Sequence, residues 1–324
     1  MSKSVFVTRE IPAIAIERLR SRGYTVDVGG WKVPPTQREI IRALKKKPYD
    51  AVLTLLTDKI DATVFDAVPH TKLYANYAIG YDNVDIKEAQ KRGIFVTNTP
   101  GSYSDSIAEH TIALVLSLTA RITESDRFVR AGKYKGWSPM NFIGTDLAGK
   151  TIGIVGTGRI GASVAHHFAK GFDSKIIYYD VVRNEKIEKD CGATFVPSVE
   201  EVLRLADIVT IHVPLLESTH HLINEARLHM MKPTAYLVNT SRGPVIDEVA
   251  LVNALKSNVI RGAGLDVFEF EPKLARGLTK LSNVVLTPHI ASAREHARDE
   301  MARVVADNII DFIEGKIPRN NVYS

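Results

Sequence analysis

Three side chains that can bind anions or transfer protons follow apolar runs in the second half of the chain: Arg242, Glu271 and His289. A guanidinium can hold a carboxylate through two parallel hydrogen bonds. An imidazole can give or take a proton near neutral pH, and a carboxylate beside its ring can orient it. Because parallel α/β sheets bind ligands beyond the carboxyl ends of their strands, we expect the three side chains to share one cleft. By residue type alone, a surface arginine and a core histidine remain alternative interpretations.

The middle of the chain carries a glycine pattern that is typical of dinucleotide-binding proteins. The apolar run 151–155 predicts a buried strand, and Gly156, Gly158 and Gly161 follow it before a predicted helix. The first glycine permits a tight turn, the second lets the backbone approach a pyrophosphate, and the third lets the helix pack closely. The helix N-terminus attracts phosphates. Asp180 ends the next predicted strand, 19 residues after Gly161 (180 − 161), where it can accept hydrogen bonds from ribose hydroxyls. A plain glycine turn is the alternative.

Predicted strands and helices alternate on both sides of this pattern, which indicates an α/β fold with parallel sheets covered by helices. The glycine pattern lies mid-chain, so about 100 residues of separate α/β structure precede it. We therefore predict two Rossmann-like or flavodoxin-like domains. A dinucleotide-binding cofactor domain, residues 101–289, is inserted into a substrate domain that consists of residues 1–100 and 290–324.

A long apolar segment, Asp105 to Ile122, predicts a helix with apolar residues on most of its faces. A helix of this kind is buried inside the fold or in an oligomer interface. A second helix is predicted near Ser125 to Ala131.

The overall composition is typical of a cytoplasmic enzyme, with no apolar run near the ~20 residues of a membrane span. The N-terminus lacks the apolar core of a signal peptide. The net charge of +5 arises in residues 1–50, but the run 45–47 ends a predicted helix, where cations suit the dipole. We expect no membrane and no nucleic-acid partner. The single cysteine, Cys191, excludes internal disulfides and cysteine-based zinc sites.

The chain resembles the D-isomer-specific 2-hydroxyacid dehydrogenases, most closely their glyoxylate/hydroxypyruvate reductase branch, over nearly its whole length. Several segments carry this resemblance besides the glycine pattern: Ala75–Asp85, Thr97–Pro100, Asn239–Gly243, Gly264–Pro272 and Thr287–Ile290. It implies that Arg242 binds the substrate carboxylate and that His289 and Glu271 form the acid–base pair. Glu269 is not the acid of this pair, since the family's glutamate directly precedes the proline.

The same resemblance implies two sets of binding residues. The NAD(H)-binding set is Gly156, Gly158, Arg159, Ile160, Gly161, Asp180, Pro214, Thr240 and Asp266, with Asp266 at the nicotinamide carboxamide. The substrate-binding set is Leu55, Ala78, Ile79, Gly80 and Arg242, with backbone N–H groups of residues 78–80 on the carboxylate.

The expected activity is NADH-dependent reduction of a small 2-oxo acid, glyoxylate or hydroxypyruvate, to the D-2-hydroxy acid by a homodimer. A 3-phosphoglycerate dehydrogenase and an NADH-sensing corepressor-like protein are the alternatives. Trp137 is the candidate for a residue that reaches the neighbouring subunit's site, although a plain interface or core role is equally open. We expect no metal, because the adjacent histidines 166–167 and 220–221 would point in different directions on a helix or strand.

Overall fold

The computed structural model describes residues 3–101 and 104–323. The chain divides into two compact units, Met1–Ser102 with Arg294–Ser324, and Tyr103–Ala293. Each unit contains one sheet in which all strand pairs are parallel. The predicted fold class, α/β with two parallel-sheet domains, is confirmed.

The first unit is a five-stranded sheet with the strand order β2-β1-β3-β4-β5, the flavodoxin-like order. Its strands are β1 (Ser4–Val7), β2 (Thr25–Val28), β3 (Ala51–Leu55), β4 (Leu73–Tyr77) and β5 (Phe95–Thr97). Its helices are α1 (Ala13–Ser21), α2 (Gln37–Leu44), α3 (Ala62–Ala67), α4 (Ile86–Lys91) and, from the end of the chain, α12 (Glu295–Ile313).

Local signals set the helix ends in this unit. At the start of α2, the Thr36 side chain accepts a hydrogen bond from the Glu39 N–H, and the Glu39 carboxylate accepts one from the Thr36 N–H, which together form a capping box. The last helix, α12, packs on α1 and β4 and buries Met301 and Ile309. The C-terminal segment therefore belongs to the core of the first unit.

The second unit is a seven-stranded sheet with the order β12-β11-β10-β9-β6-β7-β8, the doubly wound order with one added strand. Its strands are β6 (Thr151–Val155), β7 (Lys175–Tyr179), β8 (Thr194–Phe195), β9 (Ile208–Ile211), β10 (Tyr236–Asn239), β11 (Gly262–Leu265) and β12 (Val284–Leu286). Its helices are α5 (Ser104–Thr119), α6 (Ile122–Arg130), α7 (Arg159–Gly171), α8 (Glu185–Cys191), α9 (Val199–Leu205), α10 (Glu225–Leu228) and α11 (Glu248–Lys256).

The apolar helix α5 is buried inside the second unit. It packs against α7 and against β10, β11 and β12, where Leu114, Val115 and Leu118 join the core. Its end is also earlier than predicted, because Arg121 adopts a left-handed conformation (φ 54°) and separates α5 from α6. Burial within the chain thus explains most of the apolar character of this helix.

Within residues 3–101 and 104–323, none of the helices has the length and apolarity needed to cross a membrane.

Candidate active site

His289 and Glu271 are brought together beyond the carboxyl ends of neighbouring strands. The Nδ1 atom of His289 lies 3.0 Å from Oε2 of Glu271, and the other carboxylate oxygen accepts a hydrogen bond from the Phe268 N–H (2.9 Å). Both side chains keep more than a quarter of their surface exposed, 27% and 29%. His289 has a φ of 55°, a conformation that L-residues rarely adopt and that its surroundings must hold in place. The pair is thus fixed and accessible to a small ligand.

Arg242 follows β10, the next strand of the same sheet, and is half-buried. Its backbone is held by the Asn239 side chain, which donates to the Arg242 carbonyl oxygen (2.9 Å). The next residue, Gly243, packs so closely that an added Cβ would lie 1.9 Å from the Phe268 carbonyl. The segment that carries Arg242 is therefore in contact with the segment that leads to Glu271.

The glycine pattern forms the turn between β6 and α7. Gly156 has a φ of 92°, and an added Cβ would lie 2.8 Å from the His212 carbonyl oxygen. At Gly161, an added Cβ would lie 2.0 Å from the Gly156 carbonyl oxygen, so only glycine lets the helix approach the turn. Gly158 is exposed, and a Cβ there would meet nothing within 4 Å. Two glycines thus serve close packing, and the third leaves the backbone open to a ligand.

Asp180 is bound to this turn and held in one orientation. Its Oδ2 accepts hydrogen bonds from the Thr157 N–H (2.6 Å) and hydroxyl (3.1 Å), and its Oδ1 accepts one from the Val181 N–H (2.7 Å). The nearby Arg183 forms a two-point ion pair with Glu188, at 2.7 and 2.9 Å.

In the first unit, residues 78–80 form a turn after β4. The Ala78 N–H donates to the Asn76 carbonyl oxygen, whereas the N–H groups of Ile79 and Gly80 make no hydrogen bond within the described ranges. Both residues are half-buried, so these N–H groups can reach an anion.

A network of amide side chains, which sequence reasoning missed, connects this turn to Leu55. The Asn83 amide donates to the carbonyl oxygens of Leu55 (3.1 Å) and Asp58 (3.0 Å). Asn76 donates to the Gly80 carbonyl oxygen (2.9 Å) and to the Asn83 side chain (3.0 Å). The two predicted substrate-binding segments of this unit are therefore one hydrogen-bonded structure. The adjacent polar run Asp82-Asn83 was the available signal.

The sequence profile of the family described as D-isomer specific 2-hydroxyacid dehydrogenase, NAD binding domain, matches residues 112–291. A glyoxylate reductase from Korarchaeum cryptofilum is 50% identical, with 99% of this chain and 96% of the relative covered. The chain belongs to the D-isomer specific 2-hydroxyacid dehydrogenase family. It is accordingly an oxidoreductase that uses a nicotinamide cofactor, and the predicted resemblance to the glyoxylate reductase branch is confirmed.

Two solved structures show the same likeness in three dimensions. A protein from Thermus thermophilus has a TM-score of 0.91 and 39% identity, with 98% of this chain and 99% of that chain covered. The D-lactate dehydrogenase of Aquifex aeolicus, solved with NAD and lactic acid, has a TM-score of 0.86 and 29% identity, with 99% of each chain covered.

The donor groups of the second unit fit a dinucleotide. Arg159 and Ile160 open α7, where N–H groups lack helical partners and can receive a phosphate. Pro214 is exposed after β9, whereas the Thr240 hydroxyl is buried and lies 2.9 Å from the Thr111 hydroxyl. The cofactor contacts assigned to these residues stay predictions.

Asp266 lies beneath the turn that carries His289. It is fully buried and accepts hydrogen bonds from the Thr287 hydroxyl (2.6 Å) and from the N–H groups of Ile290 and Ala291 (both 2.8 Å). Burial alone would raise the pKa of Asp266, but these donors together with His110 lower it. Asp266 thus stays ionised and holds the turn, and its predicted nicotinamide contact is untested. His110, in α5, was not singled out from the sequence.

One expectation about the histidines is wrong. The rings of His220 and His221 do not point apart but stack, with centroids 4.1 Å apart and an interplanar angle of 27°. The pair lies in a turn, and His221 has a φ of 49°, so neither helical nor strand geometry separates the side chains. The Nε2 atom of His221 lies 2.6 Å from Oε1 of Glu269, the glutamate that was not assigned to the catalytic pair.

Proposed function

We propose that this protein uses NADH to reduce glyoxylate or hydroxypyruvate to the corresponding 2-hydroxy acid, which is the D-isomer when hydroxypyruvate is the substrate. The observation that carries the proposal is the 3.0 Å contact between His289 and Glu271 at the carboxyl edge of the sheet. A partly exposed imidazole held by a carboxylate can protonate the carbonyl oxygen of an aldehyde or ketone as the hydride is transferred. The name of the Korarchaeum relative, glyoxylate reductase, supports the choice of substrate.

Each residue of the proposed site has a task that its chemistry allows. In the second unit, the Arg242 guanidinium is proposed to bind the substrate carboxylate. In the first unit, the N–H groups of Ile79 and Gly80 offer donors for an anion, and Leu55 is proposed as a substrate-binding residue. Glu271 accepts a hydrogen bond from the Nδ1–H of His289, and in the protonated imidazolium the Nε2–H donates its proton to the carbonyl oxygen. When bound, the reduced nicotinamide supplies the hydride.

We also propose the domain assignment made from the sequence: residues 1–100 and 290–324 bind substrate, and residues 101–289 bind the cofactor. The cofactor is NADH rather than NADPH, because the Asp180 carboxylate suits two ribose hydroxyls and opposes a phosphate. The ion pair of Arg183 with Glu188 supports this preference, because Glu188 neutralises a guanidinium that would otherwise attract the 2′-phosphate of NADPH.

The enzyme is further proposed to act as a cytoplasmic homodimer. Large apolar side chains are exposed in and after α6, which gives a surface that a second copy can cover: Ile122, Val129, Tyr134, Trp137, Met140 and Ile143. Trp137 is 83% exposed and remains the candidate for a residue that reaches the partner's site.

A panel of 2-oxo acids tests the substrate assignment directly. Oxidation of NADH is followed by absorbance with glyoxylate, hydroxypyruvate, pyruvate and 3-phosphohydroxypyruvate at equal concentrations, and the chirality of the product from hydroxypyruvate is determined. We expect the highest kcat/KM for glyoxylate or hydroxypyruvate and a D-product. The highest value for 3-phosphohydroxypyruvate would favour the phosphoglycerate dehydrogenase alternative. Tight NADH binding with no turnover on any acid would favour the corepressor-like alternative.

A further inference from the structure

A second cluster of ligand atoms lies outside the proposed catalytic pair. One nitrogen each of His220 and His221 and one carboxylate oxygen of Glu269 lie within 4.8 Å of one another. His220 is exposed, and the side chains of His221 and Glu269 are 35% and 10% exposed. The three atoms are therefore open to solvent on the His220 side and supported by protein on the Glu269 side.

The backbone fixes this arrangement. The two histidines follow the short 3-10 helix Glu217–Thr219, and the His221 N–H donates to the Pro244 carbonyl oxygen (2.8 Å). Glu269 is held by the buried Glu248: its Oε2 accepts from the Glu248 N–H (3.0 Å), and its own N–H donates to the Glu248 carboxylate (2.7 Å). The imidazoles thus face a carboxylate whose position is set from behind.

We propose that His220, His221 and Glu269 form a binding site for a divalent transition metal ion such as Zn²⁺. Two imidazoles and one carboxylate are a known ligand set for zinc, with water in the remaining position. Binding would place the metal ion between His221 and Glu269 and release the proton of their hydrogen bond to solvent. The two rings are stacked, so they must open for their nitrogen lone pairs to converge on one ion, and the His220 ring is exposed on the surface, where it has room to turn.

The proposed metal site and the proposed catalytic pair are connected through the backbone between Glu269 and Glu271. With metal–ligand bonds of about 2.0–2.1 Å in tetrahedral geometry, the His221 and Glu269 ligand atoms would lie about 3.3 Å apart, farther than the present 2.6 Å. This widening moves His221, Glu269 or both, and Glu269 is only two residues from Glu271, whose carboxylate accepts a hydrogen bond from the Phe268 N–H. We therefore expect the metal to inhibit the enzyme by displacing Glu271 from His289. This consequence rests on the proposed function, whereas the metal site does not.

Calorimetric titration with zinc chloride alone tests the site. The full-length protein should bind one Zn²⁺ more than His220→Asn does, or bind it at least about 10-fold more tightly, since even outer-shell changes typically cost 10–100-fold in affinity. Glu269→Gln should show the same loss. The matched control is His166→Asn, which alters the other adjacent pair, His166–His167, whose rings lie at 76° and 5.8 Å. It should bind zinc as the unaltered protein does.

Equal zinc binding by the unaltered protein and His220→Asn would overturn the site, whatever the enzyme's activity proves to be. His220 is exposed, so this variant is expected to fold even if Glu269→Gln does not. The link to the catalytic pair is tested by the ratio of turnover with and without zinc in each variant. Zinc should lower turnover at least about 10-fold more in the unaltered enzyme than in His220→Asn. An equal effect in both would overturn the link.

Discussion

Replacing the 2′-hydroxyl of NADH by the 2′-phosphate of NADPH should strongly reduce catalysis, because of Asp180. Three donors fix its carboxylate beside the glycine turn, so it cannot rotate away without losing them. A phosphate monoester carries about −1.5 to −2 charges at pH 7. At a separation of about 5 Å, the repulsion is about 1.5 kcal/mol at the dielectric constant of water and about 6 kcal/mol at an effective value of ~20.

Asp180 is half-buried, so we take an intermediate value of about 3 kcal/mol, which corresponds to about 100-fold in kcat/KM. Arg183 offsets little of this, because it is already paired with Glu188. The assay is steady-state kinetics with NADH and NADPH at fixed glyoxylate. Asp180→Ser should lower the ratio of kcat/KM with NADH to kcat/KM with NADPH at least 10-fold. Asp190 is an exposed acid on α8, and Asp190→Ser should leave this ratio unchanged. Similar kcat/KM values for both cofactors in the unaltered enzyme would show that Asp180 does not face the ribose.

Three further substitutions test the account at separate places. Gly161→Ala would put a methyl group 2.0 Å from the Gly156 carbonyl oxygen, and overpacking of about 1–3 kcal/mol should lower the Tm and raise the KM for NADH; Gly171→Ala in the same helix, where a Cβ meets nothing within 4 Å, is the control. Asn83→Ala should raise the KM for the 2-oxo acid and leave the Kd for NADH unchanged, since it loosens Leu55 and the 78–80 turn; Gln90→Ala, exposed on α4, should change neither. Burial raises the pKa of Asp58, whose Oδ1 is buried without a partner in the described structure. Ionisation of Asp58 therefore lowers the free energy of unfolding at pH values above its folded-state pKa. Below its unfolded-state pKa of about 3.9, the group is protonated in both states and this loss disappears. Asp58→Asn keeps an acceptor for Thr8 and Leu55, so it should raise the Tm by a few degrees at pH 8 and leave it unchanged near pH 3; the opposite pH dependence would contradict this assignment.

Strong periodic signals in the sequence predicted the sheets and most of the helices. The strand–turn–helix at 151–171 is as expected, because Gly156 and Gly161 are required for close packing and Gly158 leaves the backbone exposed. Short polar elements were not recognised: α8 and α10 have seven and four residues, and their stability comes from tertiary contacts rather than from a repeating apolar face.

The sequence was less informative about contacts for which a side chain has several possible partners. Arg183 lies only three residues after Asp180, but Glu188, five residues further on, pairs with it. Stacking of His220 on His221 depends on the positive φ of His221, which no local sequence motif predicts. The apolar side chains available for a dimer interface lie in and after α6, whereas the apolar pattern had directed attention to α5.

The central claim is that His289, held by Glu271, protonates the substrate oxygen. The most direct measurement is the turnover of glyoxylate with NADH by His289→Asn, together with NADH binding followed by fluorescence. General acid catalysis contributes about 10²–10⁴-fold, so turnover should fall at least ~100-fold while the Kd for NADH stays within about twofold. His296→Asn, a histidine that is 82% exposed on α12, should retain full activity. Near-normal turnover by His289→Asn would contradict the account.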